Sequence, residues 1–173
     1  MSALETSDLR CNSCRKPGAP FLCELCSEPT CKSCRHYLVE GSFAYKTHVL
    51  DSLKHTHYCG VCYDREVVPA LDAYNETLEA AKNALFFFKT QVRPLPVIRR
   101  APEPVRIHEC ADRDETVLRI GFLAIEAGYN SIIEAELKSE KIRHEGYQKS
   151  RWSGHGVPAE IDMVRLERRT DFD

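Results

Sequence analysis

The chain has 173 residues, 43% hydrophobic and 29% charged, a composition that excludes a disordered polymer and leaves room for one ordinary domain or two small ones. Its 24 basic and 26 acidic side chains give a formal charge of −2. The opening MSALETSDLR has no basic start and no apolar core, and no apolar run approaches the roughly 18 residues of a membrane span, so a cytoplasmic protein is expected.

Eight of the nine cysteines form four Cys-x-x-Cys pairs in the first third of the chain: Cys11 and Cys14, Cys23 and Cys26, Cys31 and Cys34, Cys59 and Cys62. Disulfides are rare in a reducing compartment, so the pairs read as metal ligands. Two pairs complete the tetrahedral sulfur shell that zinc accepts, with no position left for water, which predicts two structural zinc ions. The ferredoxin spacings of iron-sulfur proteins are absent. Spacing alone allows either sequential sharing, first pair with second, or interleaved sharing, first with third.

The order C-x2-C-x8-C-x2-C-x4-C-x2-C-x24-C-x2-C resembles the cross-braced, treble-clef zinc fingers of the FYVE and RING superfamily, over residues 11 to about 85. That resemblance implies interleaving: Cys11, Cys14, Cys31 and Cys34 on one ion, Cys23, Cys26, Cys59 and Cys62 on the other. FYVE domains that bind phosphatidylinositol 3-phosphate carry a basic, paired-histidine motif around the third cysteine. Here that stretch reads GAPFLC, with Arg35 and His36 after the sixth cysteine instead, so the lipid is not an expected partner. RING ligases typically place a histidine in the middle of the pattern, where this chain has cysteine; ubiquitin ligase activity stands as an alternative.

Residues 1–66 carry eight basic and eight acidic side chains, but eight thiolates and two zinc ions bring the metallated finger to about −4. No basic stripe for nucleic acid is expected there, and Arg15, Lys16, Lys32 and Arg35 read as counter-charges to the thiolate clusters. His48, His55 and His57 crowd before the last pair, but eight cysteines already satisfy two ions, which leaves the histidines exposed or beside the ligands. After the last pair, VVPALDAYNETLEAAKNAL predicts a connecting helix over 67–84. It starts near Pro69, with an apolar stripe of Leu71, Tyr74, Leu78, Ala81 and Leu85 that packs on the protein's own core or forms a dimer seam.

A boundary falls in the proline-rich, locally basic residues 85–104. The Phe86, Phe87, Phe88 run favours a buried strand. Val105 to Glu109 alternates as a second strand, Asp112 with Glu115 resembles a capping box, and ETVLRIGFLAIEAG is a largely buried helix with Gly128 as its stop. Ile133, Ala135 and Leu137 are expected on one face of the next strand, with Glu134, Glu136 and Lys138 on the other. A turn near His144 to Gly146 then leads into a returning strand over Tyr147 to Trp152, and 161–173 reads as an exposed tail. The expected fold is α+β: a two-zinc finger over 8–66, the helix, and a small β-β-α-β-β domain over 85–160. The second half, through AGYNSIIEAEL and its topology, resembles the small bacterial α/β domains of the YbjQ type, labelled heavy-metal-binding, which suggests oligomer assembly.

There is no glycine-rich phosphate loop, no G-x-S-x-G elbow and no H-E-x-x-H motif. His108 and Cys110 share a face of a regular strand and would be within reach of each other, and so would Glu134 and Glu136; both pairs read as structural or solvated rather than catalytic. The segment 138–152 interleaves Lys138, Lys141, Arg143, Lys149 and Arg151 with Tyr147 and Trp152, and is the best candidate for an anionic or nucleic-acid partner, an alternative to an ordinary mixed surface. The sequence thus points to a non-enzymatic, zinc-binding interaction or adaptor protein. It names no protein partner and leaves homo-oligomerisation open.

Overall fold

The computed structural model describes residues 9–90, 94–144 and 147–170. The fold is α+β, and it divides into two compact units, up to Asn75 and from Glu76 onward, with the division falling inside a helix.

The first unit is held by very little regular structure. Strands β1 (Phe21–Leu22) and β2 (Pro29–Thr30) pair antiparallel, as do β3 (Arg35–Tyr37) and β4 (His57–Cys59). Helical backbone then begins earlier than the sequence suggests, with α1 (Gly60–Cys62), a widened π turn (Tyr63–Val67) and α2 (Val68–Lys82) in succession. Pro69 has no N–H to give the preceding turn, and its ring crowds the carbonyl four residues back; the widened turn accommodates both. Among the described residues of this unit, five large side chains other than cysteine are buried, Phe43, Leu53, Tyr58, Val67 and Tyr74. The two tyrosines keep their hydroxyls satisfied: Tyr58 donates to the Ser52 carbonyl at 2.9 Å, and Tyr74 accepts from the Tyr45 amide at 3.4 Å. On α2 the expected stripe faces inward, with Tyr74 and Ala81 buried and Leu71 and Leu78 half-buried.

In the second unit, strands β5 (Leu85–Phe88), β6 (Val97–Arg100), β7 (Val105–Cys110), β8 (Ser131–His144) and β9 (Tyr147–Ile161) form one sheet. The order is β5-β8-β9-β6, with β7 also pairing with β9; β5 runs parallel to β8 and the other pairs are antiparallel. Helix α3 (Arg113–Glu126) follows β7, and α4 (Met163–Thr170) follows β9. Two apolar layers explain the phenylalanine run. Phe86 and Phe88 pack with Ile120, Ala124, Ile132 and Ala135 on the α3 side, while Phe87 packs with Ile133, Val157, Ala159, Ile161 and Leu166 on the other.

The ends of α3 follow their local chemistry. Asp112 accepts from the Glu115 amide at 2.7 Å, and the Glu115 carboxylate accepts from the Ala111 amide at 2.7 Å. At the far end Gly128 takes φ +80°, and the Tyr129 and Gly128 amides donate to Ala124 and Ile125, the paired bonds of a Schellman stop.

Several expectations change. The proline-rich connection contains β6, an edge strand, where proline-flanked backbone needs partners on one side only. Ile133, Ala135 and Leu137 do not share a face: Glu134 at φ +53° forms a bulge that slips the register, so Ile133 joins one layer and Ile132, Ala135 and Leu137 the other. Strand β9 continues nine residues past Trp152 to Ile161. Gly154 and Gly156 allow this, because a Cβ at Gly154 would lie 2.6 Å from Leu137 and one at Gly156 2.3 Å from Ile132. Part of the tail is helical, α4, mostly exposed but with Leu166 against the sheet. The turn expected at His144 to Gly146 includes Glu145 and Gly146, which lie outside the described residues, as do Asp8 at the start of the finger and 171–173 of the tail.

Candidate metal centres

The eight paired cysteines gather into two groups, Cys11, Cys14, Cys31 and Cys34 in one and Cys23, Cys26, Cys59 and Cys62 in the other, with the sulfurs of each group within 4.8 Å of one another. The sharing is interleaved. Cys14 Sγ lies 3.8 Å from Cys31 Sγ, and Cys26 Sγ 3.8 Å from Cys59 Sγ. A tetrahedron with metal–sulfur bonds of about 2.3 Å has edges of about 3.8 Å, so the donor set and its spacing fit a thiolate-bound ion.

Each group combines the same two devices. The pairs at Cys11 and Cys23 are knuckles of one design: the Arg15 amide donates to the Cys11 carbonyl and the Ser27 amide to the Cys23 carbonyl, both at 2.8 Å. The Cys11 amide reaches the Lys16 carbonyl and the Cys23 amide that of Glu28, both at 2.9 Å. Arg15 and Ser27 complete each knuckle in the left-handed region, at φ +62° and +59°. The other two pairs open helical turns, Cys31 capping the 3-10 turn Lys32–Cys34 and Cys59 capping α1. A helix start presents free N–H groups and a positive dipole end, which favours thiolates.

The groups are tied to each other through the first knuckle. Asn12 Nδ2 points at Cys59 Sγ from 3.8 Å, and the Gly60 amide donates to Ser13 Oγ at 3.0 Å. A second tie crosses the Cys23 group. One Glu24 oxygen accepts from the Thr56 amide at 2.6 Å and the His57 amide at 3.3 Å, and the other lies 3.0 Å from His57 Nδ1. His57 Nε2 sits 3.0 Å from the Leu22 carbonyl. Glu24 thus clamps the knuckle to β4, which ends at Cys59, with Cys62 following in α1. The bonds from Thr56 and His57 hold its carboxyl below the usual range despite partial burial. No spacing rule marks Glu24, and the sequence reading missed it.

The thiols differ sharply in acidity. Burial pushes Cys11 up, but the amides of Cys14, Cys31 and Ser13 outweigh it and bring the group down to about 5. Cys23 is likewise brought down to about 7 by the amides of Cys26, Cys59 and Leu25. The neighbouring Cys31 and Cys14 push Cys34 up to about 12, and burial with Cys26 and Cys59 alongside pushes Cys62 strongly upward. Four negative sulfurs packed together thus leave at least one per group protonated until a cation compensates them.

The remaining candidates fall elsewhere. His48 is exposed, His36 stacks on Tyr63 with ring centres 4.6 Å apart, and His55 meets Tyr58 edge-on. Arg35, read as a counter-charge, lies over the Phe21 ring at 3.7 Å, an attraction that offsets the burial of its unpartnered Nε. A bulge between Ile107 and Cys110, with Glu109 at φ +62°, parts the residues expected to share a face: Cys110 is buried and His108 exposed. The bulge at Glu134 likewise separates Glu134, paired with Arg100, from Glu136, paired with Lys138.

No family model, curated protein or solved structure matches the chain. No helix among the described residues is long and apolar enough to cross a membrane.

Proposed function

We propose that the protein is a zinc-stabilised interaction module of the cytoplasm, with two structural zinc ions in a cross-braced finger of the FYVE and RING kind and no catalytic role for the metal. The observation that carries this reading is the pair of interleaved four-thiolate groups, spaced as a closed tetrahedral shell requires. Four thiolates leave no position for water or substrate, so the metal's task is to hold the fold.

The interaction half of the proposal rests on the loop between β3 and β4. A cavity of about 590 Å³ opens there, lined by Leu38, Val39, Phe43, Val49 and Leu53. Exposed apolar side chains lie in and beside the same loop, Tyr37, Val39 and Leu50. Such a surface suits an apolar segment of a partner protein. The YbjQ-like reading of the second half is retained within this proposal as a scaffold for assembly.

Elemental analysis of the purified protein tests the metal directly: two zinc ions per chain are expected, unchanged in Cys110→Ser, whereas one ion, or iron with visible absorbance, refutes the assignment. Affinity capture with the wild type and with a Val39→Asp, Leu50→Asp variant of equal zinc content tests the surface. Partners retained by the variant would place the interaction elsewhere.

A further inference from the structure

Strands β8 and β9 pair from Ser131 opposite Ala159 out to His144 opposite Tyr147, but their neighbours stop short. Pairing of β5 with β8 ends at Ala135, and pairing of β7 with β9 ends at Trp152. Five cross-strand pairs, from Glu140 with Arg151 outward, therefore have no neighbouring strand on either edge among the described residues. They form a free two-stranded ribbon about 17 Å long at ~3.4 Å per residue. Of its described side chains only Ile142 is even half-buried, so core packing does not explain why the chain extends the hairpin this far.

Charge along the ribbon is sorted. At its root the cations are neutralised: Lys138 Nζ lies 2.9 Å from Glu136, and Arg151 Nη1 2.9 Å from Glu109. Farther out, Lys141, Arg143 and Lys149 are exposed and have no ion pair among the described residues. The register places Lys141 opposite Ser150 and Ser139 opposite Trp152, so by strand alternation Lys141, Arg143, Ser139, Ser150 and Trp152 belong to one face. That face has no carboxylate among the described residues. Lys149, opposite Ile142, belongs to the other, where the next pair towards the root is Glu140 with Arg151.

Charged side chains on open strand edges also prevent unwanted strand pairing, but either sign does that, and here the described residues beyond the Glu140–Arg151 pair carry cations and no carboxylate. A projecting, carboxylate-free cationic face suits a polyanion. Its shape narrows the choice: the major groove of B-form DNA, about 12 Å wide, admits a two-stranded ribbon, whereas the narrow major groove of A-form RNA does not. We propose that the outer half of the β8–β9 hairpin is a duplex-DNA-binding arm in which Lys141, Arg143 and Lys149 contact phosphates.

The test is fluorescence anisotropy of a labelled DNA duplex with the full-length, metal-loaded protein across a salt series. Three phosphate contacts predict a log–log salt slope of about −2.7, a loss of about 40-fold in affinity between about 50 and about 200 mM salt. The neutral variant Lys141→Ser, Arg143→Ser, Lys149→Ser should flatten the slope towards zero. The charge-retaining variant Lys141→Arg, Arg143→Lys, Lys149→Arg should keep it. Absence of binding by the wild type, a slope unmoved by the neutral variant, or loss of binding in the charge-retaining variant overturns the proposal. Equal affinity for an RNA duplex or for polyglutamate does so too, the latter pointing to an acidic protein. Aggregation of the neutral variant together with no DNA binding by the wild type would assign the cations to edge protection.

Discussion

Stripping the metal is the perturbation with the largest expected effect. The described residues of the first unit include five buried large side chains other than cysteine, and at about 2 kcal/mol each they contribute about 10 kcal/mol before any entropy is subtracted. A single structural zinc ion contributes on the order of 10 kcal/mol of folding free energy at neutral pH, so the two proposed ions would outweigh that core about twofold. Net stabilities are typically only about 5 to 15 kcal/mol, and a unit built this way has no reserve to survive chelation. In the second unit neither apolar layer contains any of the eight ligands. Amide hydrogen exchange before and after a strong chelator reads both outcomes at once. Protection should vanish at the Cys11, Arg15, Cys23, Ser27 and Leu38 amides, whose bonds define the knuckles and the β3–β4 pairing. It should persist in 116–126 of α3 and 132–137 of β8. Protected amides between residues 11 and 62 in protein shown to be metal-free would refute the argument, and equal loss in both halves would mean that they unfold as one body.

Metal uptake should weaken as pH falls, because Cys34 and Cys62 are pushed up and must lose protons to become ligands; each proton released costs tenfold in affinity per pH unit, measurable by competition with a chromophoric chelator. Replacing Glu24 by Gln should cost about 1 kcal/mol, a value already reduced for its partial exposure, and weaken the Cys23 group several-fold in the same assay while leaving the Cys11 group unchanged. Since the folded carboxyl is depressed, its stabilisation is present above the unfolded value near ~4.3 and is lost as pH falls through the folded one, so the difference from wild type should be fully developed at neutral pH. Gly156→Ala should destabilise the second unit by about 1 to 3 kcal/mol in urea unfolding, and Ile132→Leu, which removes the Cγ2 methyl 2.3 Å from the new Cβ, should restore part of it.

What the sequence revealed tracks how local the governing chemistry is. Four Cys-x-x-Cys pairs announce a metal, and Asp112, Glu115 and Gly128 mark both ends of α3, because each device is complete within a few residues. The bulges at Glu109 and Glu134 carry no such signal: both place a glutamate at positive φ, where glycine or asparagine is the usual marker, and only the demands of the two apolar layers explain them. Glycines 154 and 156 carry no strand signal of their own, and only the close approach of Leu137 and Ile132 explains them. Glu24 escaped notice for a related reason. Its partners are more than thirty residues away, and a carboxylate on an exposed knuckle looks like any other.

Interleaving also sets a timetable for synthesis. Cys11, Cys14, Cys23 and Cys26 all leave the ribosome before Cys31, so the first four thiols available to an ion are a set that the finished fold never uses together. An ion caught there must be handed on when Cys31 and Cys34 emerge, releasing the Cys23 knuckle. That knuckle then waits for roughly 28 more residues, until Cys62 emerges, a few seconds at about 5 to 20 residues per second. During those seconds the two thiols of the Cys23 knuckle have no partner pair. If the groups hold metal, that interval is when the second cluster of the newborn chain is open to a wrong ion or to oxidation.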